Sequence, residues 1–203
     1  MNWNTIPEQS VIERTIESLK ANGMEAMVVD TGDDAKKKVL ELIPEGSEVM
    51  TNTSVTADTI GVSSVLNESG KYNAVKLKLY SLDPKTQKRE QKRLGAAPDY
   101  AIGSVHAVTE DGRVLIASNT GSQLPGYAYG SDHVIWIVGA QKIVKDLDSG
   151  FARISEYTLP LESERARKAY GMDHSNISKM LIVNKEVTPG RITVIFVKEV
   201  LGF

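Results

Sequence analysis

Short apolar runs alternate with helix-patterned segments along most of this chain, and that alternation restricts its fold more than any other feature. Met24–Val29, Glu48–Met50, Ala74–Tyr80, Asp99–Ile102, Val105–Thr109, Arg113–Ala117, His133–Val138, Lys179–Val183 and Arg191–Val197 read as strands. Helical stripes lie between them: Val11, Ile12, Ile16 and Leu19; Ala35, Val39, Leu42 and Ile43; Val55, Val62, Val65 and Leu66; Val144, Leu147, Phe151 and Ile154. Thr5 to Glu8 reads as a capping box for the first helix, and Asp33 or Asp34 as the cap of the second. A charged helix is expected over Leu161–Tyr170. Such an order implies a three-layer α/β fold, a largely parallel sheet with helices on both faces. Glu110-Asp111-Gly112 marks a tight hairpin, which makes the expected sheet mixed. No repeat or linker divides residues 1–203, so one domain is expected.

Composition removes several functions. The chain has no cysteine, which excludes a thiolate nucleophile and any Cys-ligated zinc or iron–sulfur cluster on its own residues. The net charge of −2 gives no global reason to bind nucleic acid or an anionic membrane. The longest apolar run, Val134–Ala140, is a buried strand in length, far short of the roughly 18 residues that span a bilayer. The polar N-terminal stretch lacks the basic start and apolar core of a secretory leader. A cytoplasmic location is the expectation.

Four segments could carry chemistry. Thr51-Asn52-Thr53-Ser54 follows a strand and precedes a helix, where open α/β sheets bind ligands and helix N–H groups attract anions. The same residues could simply cap that helix. Ser118-Asn119-Thr120-Gly121-Ser122-Gln123 also follows an apolar strand and could cradle a phosphate or carboxylate, or form a capping turn. Gly103-Ser104-Val105-His106 places a histidine near Glu110 and Asp111 in sequence, a possible general base against the simpler reading of a structural histidine. Lys85, Lys88, Arg89, Lys92 and Arg93 would share one face if helical; a solvated surface is the default, and no aromatic residue interleaves for nucleic-acid stacking. The ligand-binding candidates are therefore Thr51, Asn52, Thr53, Ser54, Gly103, Ser104, His106, Glu110, Asn119, Thr120, Gly121, Ser122 and Gln123. No metal site is expected, and no residue is singled out as catalytic.

The run Ala101-Ile102-Gly103-Ser104-Val105-His106-Ala107-Val108-Thr109-Glu110-Asp111-Gly112 resembles the LUD-domain family of lactate-utilization proteins. So do Ser118–Gln123, Val138-Gly139-Ala140-Gln141-Lys142-Ile143-Val144, Leu42–Ser47, Thr53 to Gly61 and the closing Val200–Phe203. The resemblance implies a NagB/RpiA/CoA-transferase-like fold. It also implies an accessory role in oxidising L-lactate to pyruvate beside iron–sulfur partner proteins; the residues carry no cofactor signature, so no cofactor of its own is expected. Some members carry a cysteine-rich segment before the last strands; here Tyr170–Ile177 holds no thiol. The alternative is a stand-alone enzyme or binder for a phosphorylated or CoA-linked metabolite, and whether the chain is an enzyme stays open.

Overall fold

In the computed structural model, which describes residues 2–203, two sheets are built from ten strands. The first half supplies α1 (Gln9–Ala21), β1 (Glu25–Val29), α2 (Gly32–Leu42), β2 (Glu48–Thr51), α3 (Val55–Thr59), α4 (Val62–Glu68), β3 (Asn73–Ala74), α5 (Val75–Ser81) and α6 (Lys88–Ala96). The second supplies β4 (Tyr100–Gly103), β5 (Ala107–Thr109), β6 (Val114–Ser118), β7 (His133–Gly139), β8 (Ile143–Val144), α7 (Leu147–Arg153), α8 (Leu159–Tyr170), β9 (Lys179–Val183) and β10 (Ile192–Val197).

The main sheet has the order β1-β10-β7-β4-β2-β3, and every pairing in it is parallel. Its central strands are apolar on both faces because both faces are covered. Val134, Trp136, Val138, Val194 and Phe196 point into one core with Leu19 of α1 and the β5–β6 hairpin. Ile135, Ile137, Ile195 and Val197 point into the other, against Ala35, Val39, Ala57, Val62 and Leu66 of α2, α3 and α4. This is the three-layer α/β arrangement that the strand and helix order implies.

The antiparallel pairing lies elsewhere than expected. The Glu110–Gly112 turn joins β5 to β6, with Gly112 at φ +80°, but this hairpin leaves the main sheet. It forms a second sheet, β8-β5-β6-β9, stacked on one face of the first. A third core of Ala107, Leu115, Ala117, Val144 and Ile154 lies on that sheet's far side.

Several local readings are corrected. Helix α1 begins only at Gln9, and Glu8 at its N-cap makes no side-chain capping bond, so Thr5–Glu8 is not a capping box. Thr31 caps α2 in a reciprocal box with Asp34. The helix expected from Val55 to Leu66 is two helices, broken at Gly61 with φ +72°. Ala74–Tyr80 is not a strand. The edge strand stops after Asn73 and Ala74, only Val75 of α5 is buried, and no further strand is there to pair. With Leu and Lys dominant, local helix propensity then prevails. Lys85 lies in the turn before α6, so it does not share that helix's face, and α6 buries no residue. Val144 belongs to β8, and Phe151 of α7 faces outward.

Helices α7 and α8 run on through a widened turn, Ile154–Thr158, closed by Leu159 N–H donating to Ile154 C=O. Pro160 follows at once; it has no N–H to give, and the turn widens where the ordinary ladder is interrupted. Among the described residues no helix is long and apolar enough to cross a membrane.

Candidate functional site

Adjacent strands β2 and β4 end together, with Thr51 paired to Ile102. Beyond β2 the chain turns to the α3–α4 face and on to the β3 edge. Beyond β4 it turns to the opposite face, into the β5–β6 hairpin. A crevice must open where successive connections diverge at the carboxyl ends of parallel strands. A cavity of about 470 Å³ lies there, its wall completed by the loop after β6, the widened turn before α8 and α8 itself.

One of the cavity's most buried polar groups is Lys142, in the turn directly after β7. Its side chain is almost wholly buried, at 2% exposure, yet it lines the cavity. The Nζ donates to Thr56 Oγ1 at 3.2 Å, Ser104 Oγ at 3.1 Å and Val105 C=O at 3.1 Å, all neutral acceptors. Arg153, at the end of α7, is fully buried beside the same wall and donates to His106 C=O and Thr158 Oγ1. Its Nε and second terminal nitrogen have no partner. Among the described residues neither cation forms a salt bridge. Burial, aided by repulsion from Arg153, pushes Lys142 down to about 7. Burial pushes Arg153 down to about 10, so it stays charged at neutral pH. With no acid paired to either, Arg153 and the charged form of Lys142 make this side of the cavity electropositive, and burying charge unpaired costs several kcal/mol per ion, on the order given by desolvation.

His106 is half-buried in this wall. Ala117 N–H donates to its Nδ1 at 3.1 Å, which leaves the proton of the neutral ring on Nε2. Burial, with repulsion from Lys142 and Arg153, holds the ring down to about 3, so it is neutral at physiological pH. The carboxylates near it in sequence are not near it in space: Glu110 pairs with Arg14 at 3.5 Å and Asp111 with Arg113. The ring has two cations for neighbours, an arrangement that opposes a general base and suits a hydrogen-bond donor.

The remaining wall is built from the two polar loops. Asn52, Thr53, Ser54, Ser104, His106, Asn119, Thr120, Ser122 and Gln123 all line the cavity. Thr51, Gly103, Glu110 and Gly121 do not. Thr51 donates instead to Asn67 Oδ1 at 2.9 Å. Gly103 lies under the Tyr127 hydroxyl, which a Cβ would meet at 2.0 Å. Tyr127 is buried edge-on to Trp136 and hydrogen-bonds Asn52, fixing the first loop. Ser54 caps α3 by accepting from Ala57 N–H. Ser118 Oγ accepts from Gly121 N–H at 2.8 Å and donates to Gln123 Oε1 at 3.0 Å, so part of the second loop closes on itself. On α8, Glu162 and Arg165 form a two-pronged pair at 2.7 Å in the wall.

Sequence reasoning missed Lys142, Arg153, Thr56 and Tyr127. Lys142 carried a signal, since it is a lysine immediately beyond the most apolar strand, at its carboxyl end. Arg153 carried none, because its stripe reads as an ordinary amphipathic helix.

The model of the LUD domain matches residues 12–197. The chain belongs to the LUD-domain family. That family is associated with lactate-utilization proteins. The fold is similar to the crystal structure of a DUF162 family protein from Deinococcus radiodurans, with a TM-score of 0.59 over 94% of this chain and 99% of that one. The two share 11% identity, so the likeness concerns the fold. Among curated proteins the chain has no significant match.

Proposed function

We propose that this LUD-domain chain is a cytoplasmic accessory protein of L-lactate utilization that holds a small organic anion in the β2–β4 cavity. One observation carries the anion: the Lys142 ammonium, buried against neutral acceptors with no carboxylate. An anion entering the cavity supplies the missing opposite charge where water screens it little. The Nε2–H of His106 and the hydroxyl of Ser104 are neutral donors beside it. Having no cysteine, the chain would pass no electrons through a Cys-ligated cluster of its own; iron–sulfur partner proteins would do so.

Binding is tested by thermal shift and calorimetry with lactate, pyruvate and the neutral amide of lactate. Both acids are expected to stabilise the protein, the amide not, and Lys142→Gln to abolish the difference. Equal shifts with acid and amide would overturn the reading. The physiological role is tested in a deletion strain, where unimpaired growth on lactate would sink it. A second reading, a phosphorylated metabolite, is favoured by the hydroxyls and amides of Thr53, Asn119, Thr120 and Ser122 along the wall. A stronger shift with a phosphorylated acid than with lactate would select it.

A further inference from the structure

We propose that Lys142 captures a small 2-oxo acid covalently, as a reversible imine between its Nζ and the keto carbon. The inference rests on the anion-binding reading above and narrows its substrate class to acids with a neighbouring carbonyl.

The geometry supplies three requirements at once. A nucleophilic amine must not be locked to a carboxylate, and the Nζ of Lys142 meets only Thr56 Oγ1, Ser104 Oγ and Val105 C=O, at 3.1 to 3.2 Å. It must be reachable, and Lys142 lines a cavity of about 470 Å³ together with His106 and Asn52. Proton carriers must lie within hydrogen-bond reach of the nitrogen, and the Thr56 and Ser104 hydroxyls do. A buried lysine with no counter-charge, next to a second cation, is the environment that makes an amine nucleophilic at neutral pH.

The step balances without an outside reagent. The lone pair of the neutral amine attacks the keto carbon, and the carbonyl π pair moves to oxygen, which takes a proton. One amine hydrogen leaves nitrogen through the neighbouring hydroxyls, giving a carbinolamine. Protonation of its hydroxyl expels water as the nitrogen lone pair forms C=N, and the second amine hydrogen departs. Both hydrogens of the amine thus leave with the keto oxygen as one water. Hydrolysis reverses the sequence. The carboxylate of the captured acid offsets the charge of Arg153, which has no acidic partner.

The test incubates the full chain with pyruvate and sodium borohydride, then locates the adduct by peptide mass spectrometry. Lactate, an anion of like size with no carbonyl, is the parallel arm, and thermal shift is read for both. The expected result is a borohydride-dependent adduct on Lys142 with pyruvate, none with lactate, and none with Lys142→Arg. Stabilisation by both acids without an adduct on Lys142 overturns the imine and leaves the anion site standing. No stabilisation by either acid and no adduct overturns both. Adducts spread over exposed lysines without enrichment at Lys142 also overturn the imine. That arm is read on the unaltered protein, so folding of the variant does not decide it.

Discussion

The ammonium of Lys142 lies 3.1 Å from the hydroxyl of Ser104, a contact that ties the turn after β7 to the residue after β4. These strands are neighbours in the sheet, and both residues line the cavity at its edge. The contact therefore sets a charged group at the point where the fold itself opens.

Anion affinity should fall as pH rises. The charged form of Lys142 attracts the ligand, and that form is lost as pH passes about 7. Above that point one proton is required per anion bound, so affinity should drop roughly tenfold per pH unit. Calorimetry with lactate between pH 6 and 9 checks this, and a flat profile would exclude Lys142 as the anion's partner.

Stability should carry the same signature with the opposite slope. The folded value of Lys142 is about 7 and its ordinary value is 10.5. Between them the unfolded chain binds the proton and the native protein does not, so this group's contribution rises with pH across that window. Melting temperatures of the wild type and Lys142→Met, compared from pH 7 to 10, should diverge in favour of the wild type. Parallel curves would mean that the native lysine keeps its ordinary proton affinity.

Gly103→Ala should be destabilising beyond an ordinary surface change. The new Cβ would sit 2.0 Å from the Tyr127 hydroxyl, so Tyr127 or β4 must move. Overpacking of this kind costs about 1–3 kcal/mol. Adding Tyr127→Phe removes the colliding oxygen and should recover part of the loss, as chemical denaturation would show. No recovery would place the strain elsewhere.

Arg191→Met should cost roughly 3–5 kcal/mol, the range for breaking a buried ion pair from one side. Arg191 is 8% exposed, pairs with Glu186 at 2.7 Å, and donates to the carbonyls of Ser131, Gly126 and Tyr127. Burial alone would raise Glu186, but the Thr188 N–H and Arg191 outweigh it and hold the carboxyl below its usual range. The loss should therefore shrink as pH falls and Glu186 gains a proton, which denaturation at pH 7 and pH 4 would reveal.

Much of the layer structure is legible in the sequence because burial on both faces demands continuous apolar strands, and Val134–Gly139 and Ile192–Val197 can hardly be anything else. The Asp111-Gly112 turn is legible for an equally local reason, the positive φ that glycine permits. Ala74–Tyr80 was misleading because its alternation suits a strand, while its fate depended on whether the sheet continued beyond β3.

Sequence alone determined the strand and helix order, the exclusion of thiol chemistry, and the two loops, Thr51–Ser54 and Ser118–Gln123, whose residues largely line one cavity. Only the tertiary structure decided what stands among them. It carried Glu110 away to Arg14, set His106 near two cations rather than its neighbouring acids, and buried Lys142 and Arg153 without counter-charges. The reason is physical: charge and turn propensity are properties of a residue and its near neighbours, whereas desolvation and pairing depend on which distant segments close over it.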